Sequence, residues 1–143
     1  MSVKNKGIAA WLALLLGSLG LHRVYLFGPG DRWWWLHPVP TLLGLAGLQR
    51  FQAIGQHDLW AAWALPLLGL MLAQGALCAI VYGLTSDERW NARHNPQQPA
   101  VPTRWLPVLA AVAALLLGGT ALMATIAFSA QRYFEISAET EKP

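Results

Sequence analysis

Charged residues are scarce in this sequence. Only 12% of its 143 residues are charged, whereas an ordinary soluble domain has roughly 25%. Four stretches contain no Asp, Glu, Lys or Arg: residues 7–21, 33–49, 59–84 and 105–131. A bilayer core about 30 Å thick requires roughly 20 residues of helix, which the last two stretches provide alone. The scarcity of charge argues against an ordinary soluble domain and predicts an all-α integral membrane bundle of four hydrophobic helices.

Cysteine and the residue spacings that build catalytic or metal sites are also lacking. Cys78 is the single cysteine, so an intramolecular disulfide is impossible and a thiolate metal site is implausible. The histidines occupy four separate segments, without Glu-x-x-His or His-x-x-x-His spacing: His22, His37, His57 and His94. We therefore predict no catalytic residue, no metal ligand and no cofactor.

The basic residues are spread over the loops and form no cluster interleaved with aromatic residues. This pattern argues against nucleic acid as a partner and predicts contact with lipid head groups. With four crossings, the ten basic residues divide five and five between the two faces, so they do not orient the chain. We favour a cytoplasmic N-terminus because Lys4 and Lys6 precede the first helix, which usually dominates.

The chain begins with "MSVKNKGIAAWLALLLG", which has the lysines and apolar run of a signal peptide. No small-x-small cleavage site precedes a polar segment, so we predict an uncleaved first helix over residues 7–27. This helix ends at "GPGD", a sequence that suits a type II turn.

Five parts follow from the distribution of apolar and polar residues. We predict a helical hairpin over 4–53, a third membrane helix over 57–84, a polar loop over 85–104, a fourth membrane helix over 105–129 and a short mobile tail over 130–143. In the loop, Ser86, Asp87 and Glu88 are typical of the start of a short surface helix. The segment "HPVP" predicts an extended stretch, because residues before proline avoid the helical region. Residues 36–50 therefore form either a short crossing or a re-entrant element.

Small residues recur at helical spacing in three of the apolar segments. In lipid, such stripes let helix backbones approach closely, which is the main packing device there. They predict contacts within the chain or, as the alternative, a homo-oligomer interface. The residues are Ala10, Ala13, Gly17 and Gly20, then Gly75, Ala79 and Gly83, and finally Ala110, Ala114 and Gly118.

Polar residues interrupt the end of the first apolar segment. Ser18, His22 and Tyr25 share one helical face, and a histidine that faces a bundle needs a hydrogen-bond partner. Arg23 lies about 6 Å before Phe27 along a helix, so its side chain can reach the head groups. Two interpretations stay open: a helix-end anchor, or a functional cluster of His22, Arg23 and Tyr25.

The same residues carry a family resemblance. The stretch "LLLGSLGLHRVYLFG" resembles the signature of the TM2 domain family, whose bacterial members read Leu-Gly-x-x-Gly-x-His-Arg-Phe-Tyr-Leu-Gly. Val24 replaces the family's Phe, and Phe27 is an extra residue before the glycine. The resemblance covers about a third of the chain and implies a helical membrane hairpin in a bacterial inner membrane, without an assigned activity. The matching residues are Leu16, Gly17, Gly20, His22, Arg23, Tyr25, Leu26 and Gly28.

Three classes of function remain after these exclusions. A transporter or channel requires ionisable groups at mid-membrane. The third and fourth segments offer only Gln74 and Thr120 near their middles, with Thr125 nearer an end, and none of these side chains is ionisable. The favoured prediction is a multi-pass interaction or scaffold protein, or an accessory subunit, that acts through helix packing. Its partners would be the lipid bilayer and another membrane protein or a second copy. A small transporter or channel component is the alternative, and an enzyme is the least favoured class.

Overall fold

Six α-helices account for most of the chain in a computed structural model that describes residues 3–98 and 102–140. No β-strand occurs in those residues, so the all-α prediction is confirmed. Short 3₁₀ turns at Gly17–Leu19 and Arg32–Leu36 flank the second helix. The helices are α1 (Lys6–Leu16), α2 (Leu21–Phe27), α3 (Pro38–Ile54), α4 (Leu59–Leu84), α5 (Asp87–His94) and α6 (Leu106–Thr140).

The antiparallel pair of α4 and α6 forms the centre of the fold. Gly83 lies against Pro107 at one end of the pair, and Gly118 lies against Ala76 further along. With 26 and 35 residues, the two helices are about 39 Å and 52 Å long. Within the described residues, these two helices are long and apolar enough to cross a membrane, by length and composition.

The first apolar segment folds back on itself, and the prediction of one continuous helix over residues 7–27 is wrong. After α1, Gly20 adopts a left-handed conformation with φ of 72°, which glycine reaches without steric cost. The chain then reverses. The Tyr25 hydroxyl accepts a hydrogen bond of 2.8 Å from the Asn5 amide, which places the end of α2 beside the start of α1.

The "HPVP" segment starts a helix, so the predicted extended stretch is also wrong. Pro38 is the first residue of α3, and Pro40 lies in its first turn. Backbone amides in a first turn have no partner within the helix, so proline loses nothing there. From this start α3 packs along α4, where Gly44 lies against Leu68 and Gly47 lies against Ala64.

The bundle has two polar ends. At the α5 end, Lys6 Nζ pairs with Asp87 Oδ1 at 2.5 Å, and Thr103 N donates to the same carboxylate at 2.8 Å. At the Gly55 end, Arg50 Nε pairs with Asp58 Oδ2 at 2.6 Å. Since α4 begins after Asp58 and ends at Leu84, its axis connects the two ends.

Helix α6 is longer than the fourth apolar segment. Ser129 was the expected last residue of that helix, but α6 continues to Thr140. Arg132 pairs with Glu135, and Gln131 Nε2 donates to the same carboxylate at 2.8 Å. These contacts stabilise the extra turns, so the predicted tail over 130–143 is helical as far as it is described. Residues 141–143 lie outside the described ranges.

Candidate functional site

The small residues predicted to pack are all buried within this single chain. Gly17 lies so close to Gly75 that a Cβ on Gly17 would come within 2.6 Å of the Gly75 Cα. Their burial inside one chain supports packing between its own helices and leaves none of them free for a contact between copies. The buried residues are Ala10, Ala13, Gly17, Gly20, Gly75, Ala79, Gly83, Ala110, Ala114 and Gly118.

His22 lies in the interior, directly after the chain reversal. Only 1% of the residue is exposed. Its ring centroid is 5.4 Å from that of His37 and 5.9 Å from that of Tyr82. A Cβ on Gly20 would come within 2.9 Å of the His37 ring, so glycine is required for this approach. Three helices, α2, α3 and α4, therefore converge on one imidazole.

The reversal exposes backbone carbonyls, and side chains of the next segment bind them. Trp34 Nε1 donates to the Leu19 carbonyl at 2.8 Å, and Thr41 Oγ1 donates to the Ser18 carbonyl at 2.5 Å. Irregular backbone inside a helical bundle requires such partners, because a buried carbonyl has no water to bind. These bonds hold the start of α3 against the turn and bring His37 next to His22.

Several buried polar atoms have no hydrogen-bond partner among the described residues. They include Nδ1 of His22, Nε2 of His37 and Oε1 of Gln74. Buried imidazole nitrogens without partners are costly, which is a reason to look for a function. Two adjacent imidazoles can accept, donate or transfer a proton. Residues 3–98 and 102–140 contain no group of three or more His, Cys, Asp or Glu suited to a metal ion.

Arg23, the residue after His22, binds an acidic residue. Its Nε donates to Asp31 Oδ2 at 2.7 Å, and its guanidinium lies 5.1 Å from the Phe27 ring centroid. Asp31 also accepts a bond from the Trp33 amide, so it caps the 3₁₀ turn. The hydrogen bond from Arg23 lowers the pKa of the Asp31 carboxyl below its ordinary value. Arg23 therefore stabilises a turn at the α5 end.

The same arrangement occurs a second time, at the Gly55 end. Arg50 binds Asp58, which caps α4 by accepting from the Trp60 and Ala61 amides. Gly55 ends α3 with φ of 89°, just as Gly28 ends α2 with φ of 88°. Both copies follow the spacing Arg-x4-Gly-x2-Asp-x-Trp. Sequence reasoning missed this repeat, although its spacing is visible in the chain.

The motif residues thus divide into two tasks. Gly17 and Gly20 form the reversal that buries His22, whereas Arg23, Tyr25 and Gly28 build the turn and its contacts at the α5 end. Sequence reasoning did not find Asp31, His37 or Tyr82 as their partners. Each of these partners lies on another element, and no periodicity within one helix points to it.

A second polar cluster ties the N-terminal segment to α5. Trp90 Nε1 donates to the Lys4 carbonyl at 2.8 Å, and Asn95 Nδ2 donates to the same oxygen at 3.1 Å. Burial raises the pKa of Asp87, but hydrogen bonds from Lys6 and Thr103 outweigh it and lower that pKa to about 2. The carboxylate therefore stays ionised and holds α1, α5 and the start of α6 together.

No known protein family, curated protein or solved structure matches this chain. The likeness to the TM2 domain family therefore stays a prediction that depends on the motif residues themselves. What the geometry defines is a helical bundle with a buried histidine pair and two arginine–aspartate turns.

Proposed function

We propose that the chain is an integral membrane protein of the interaction or scaffold class, possessing a TM2-like hairpin that enters and leaves the bilayer on one side. The observation that carries the proposal is the outer surface of α4 and α6. Large apolar side chains there are exposed, such as Trp63 at 77% and Leu116 at 67%, whereas the ion pairs lie at the two ends. In water such a surface is unfavourable, and in lipid it is required.

Contacts along α4 indicate how deep each element lies. Gly17 meets Gly75, ten residues before Thr85, which is about 15 Å or half of the hydrocarbon thickness. The α1–α2 hairpin therefore reaches the middle and returns. The 3₁₀ turn Arg32–Leu36 adds about 10 Å to the roughly 25 Å of α3, which together suffice for a crossing. We infer three crossings, by α3, α4 and α6, and one re-entrant hairpin.

With this topology, the two faces no longer carry equal numbers of basic residues. Of the nine basic residues that the structure describes, seven lie at the α5 end, and Arg50 and Arg132 lie at the Gly55 end. Because cytoplasmic loops carry the excess of Lys and Arg, the α5 end is cytoplasmic. The seven are Lys4, Lys6, Arg23, Arg32, Arg89, Arg93 and Arg104. The N-terminus is then cytoplasmic and α6 ends on the opposite side.

An interaction role fits the shape of the remaining surface. The groove between α3, α4 and α6 has a volume of about 300 Å³ and is lined by apolar residues such as Leu48, Leu72 and Phe128. An apolar groove of this kind suits a lipid chain or a helix of another membrane protein.

Cysteine labelling in sealed vesicles tests the topology. In a Cys78→Ser background, single cysteines at Gly30 and Gln97 should react with an impermeant maleimide from the cytoplasmic side. Cysteines at Gln56 and Ala138 should react only from the other side. If Gly30 and Gln56 react from the same side, α3 does not cross and the proposed topology is wrong.

Purification of the full chain in a mild detergent tests the interaction role. A membrane protein that co-purifies in fixed stoichiometry supports it. A chain that is monomeric and free of protein partners when extracted from its native membrane contradicts it.

The histidine pair favours one alternative, proton handling by a small transporter component. Its test is proton flux into liposomes that contain the parent or the His22→Leu variant and a pH-sensitive dye. The alternative requires flux in the parent and its loss in the variant, with an unchanged melting temperature. Flux no higher than that of empty liposomes eliminates it.

A further inference from the structure

A cavity with a basic rim lies between α5 and the last turns of α4. Its volume is about 580 Å³. Arg89, Arg93 and His94 line the side formed by α5, and Val81 and Leu84 line the side formed by α4. The cavity opens at the α5 end, where α4 leaves the apolar part of the bundle.

The two arginines face this cavity without an acidic partner. Neither forms an ion pair with a carboxylate of the residues that the structure describes. Like charges four residues apart on a helix repel each other and destabilise it by a few tenths of a kcal/mol. A bound anion between Arg89 and Arg93 would turn this repulsion into attraction.

The orientation of α5 is fixed, so the arginines cannot turn away. Trp90, which is buried and also lines the cavity, donates its indole N–H to the Lys4 carbonyl, and Asn95, directly after α5, donates to the same oxygen. Burial, together with the charge of Arg93, lowers the pKa of His94, so this ring is neutral at neutral pH. His94 therefore adds a hydrogen-bonding group to the rim but no charge.

The wall below the basic rim is apolar. Leu84 is 70% exposed and Val81 is 54% exposed, and both lie on the side of α4 that the cavity borders. A ligand that contacts both the basic rim and the apolar wall needs an anionic group at the rim and a hydrocarbon chain beneath it. An inorganic anion would leave the apolar wall uncovered.

We propose that this cavity binds an anionic phospholipid of the leaflet at the α5 end, with its phosphate between Arg89 and Arg93 and an acyl chain along Val81 and Leu84. The inference rests on the proposed membrane topology. Anionic lipids are attracted to basic residues beside a membrane helix by about 1 kcal/mol for each Lys or Arg. Two arginines therefore correspond to a preference of more than tenfold for an anionic over a zwitterionic lipid.

Native mass spectrometry of the full chain in detergent, titrated with phosphatidylglycerol or phosphatidylcholine, tests the site. The parent should retain phosphatidylglycerol more than tenfold better than phosphatidylcholine. Arg89→Gln/Arg93→Gln should abolish this preference. The matched control, Arg32→Gln/Arg104→Gln, removes the same charge at the same end and should leave the preference unchanged.

Three results would overturn the proposal. The first is an equal loss of the preference for phosphatidylglycerol in the two double variants. The second is equal retention of the two lipids by the parent. The third is displacement of the lipid by inorganic phosphate at millimolar concentration. Equal melting temperatures of both double variants in phosphatidylcholine show that folding is intact. The labelling experiment reports separately on topology, so a normal topology without lipid preference removes only this site.

Discussion

The two arginine–aspartate turns share one residue pattern but cover different interiors. At each turn a glycine with positive φ ends a helix, an aspartate caps the next element, and an arginine eight residues before the aspartate binds it. Asp31 caps a 3₁₀ turn of five residues, whereas Asp58 caps a helix of 26 residues.

The interiors differ in packing. Beneath the Gly55 turn, Gly44 and Gly47 bring the backbones of α3 and α4 together. Beneath the Gly28 turn, the reversal at Gly20 leaves room for His22 and His37, whose unpartnered nitrogens lie inside the bundle. The residue pattern at each end of the bundle therefore sets a turn, but the residues beneath the turn decide whether the interior is tightly packed or polar. Four sets of substitutions test this difference.

The largest effect is expected beneath the Gly55 turn. In Gly44→Ala, the new methyl group would collide with the backbone of Leu68, which cannot move without shifting α4. We expect a loss of about 3 kcal/mol in the free energy of unfolding, the upper part of the range for overpacked interiors. Unfolding in mixed micelles of a mild detergent and SDS measures it. Gly119→Ala is the control, since a Cβ there meets nothing within 4 Å, and equal stability of both variants would refute the packing argument.

The glycines of the two turns come next. Gly28→Ala and Gly55→Ala leave contacts unchanged, because a Cβ at either position meets nothing within 4 Å, but both force alanine into a backbone region that only glycine favours. Each should cost about 1–3 kcal/mol. Gly30→Ala is the matched control, because Gly30 lies in open space and lacks a positive φ. If all three variants have the same free energy of unfolding in this assay, the positive φ at these two turns does not matter for stability.

The aspartates should show how strongly each turn depends on its cap. Hydrogen bonds from Arg50 and Arg23 lower the pKa of Asp58 and Asp31 in the folded protein. Their stabilisation is therefore present above the unfolded-state pKa of about 4 and is lost as the pH falls through the lower folded-state pKa.

Melting temperatures in detergent, measured at neutral pH and below about pH 4, report this contribution. Asp58→Asn should lower the neutral-pH melting temperature more than Asp31→Asn, because Asp58 also accepts from two backbone amides of α4. Both variants should lose part of the parent's acid sensitivity. If Asp31→Asn lowers the neutral-pH melting temperature more than Asp58→Asn, the Gly28 turn depends more on its cap than the Gly55 turn, contrary to this prediction.

The smallest effect is expected for the arginines. Arg23→Lys and Arg50→Lys keep the charge but lose the planar guanidinium, so insertion and abundance should be normal. The stability loss should be at most about 1 kcal/mol. It should be larger at Arg23, whose side chain is 26% exposed against 51% for Arg50. Loss of a co-purifying partner in Arg23→Lys alone would instead assign a binding role to the Gly28 turn.

Spacing and composition predicted a large part of this architecture. The apolar stretches predicted α4 and α6, and the recurrence of Ala and Gly identified residues that the structure buries. The cap Ser86 is recognisable because a helix start depends on its neighbours in sequence. These features depend on residues that are close in sequence, so they can be recognised from a single sequence.

The first apolar segment contains a feature that local sequence patterns could not predict. A helical wheel treats residues 7–27 as one helix, yet Gly17 and Gly20 also permit a reversal. Packing of Gly17 against Gly75 and the bonds from Trp34 and Thr41 favour the reversal. None of these partners is near in sequence, so periodicity could not reveal the choice.

The sequence by itself determined the helical class, the apolar surface and the small residues available for close packing, because these follow from composition and from spacing within single segments. Only the tertiary structure decided that the chain reverses at Gly20, that His22 meets His37, and that the α5 end gathers most of the basic residues. Each of these depends on contacts between distant segments, where packing and the need to satisfy buried polar groups select one of several arrangements that the local sequence permits.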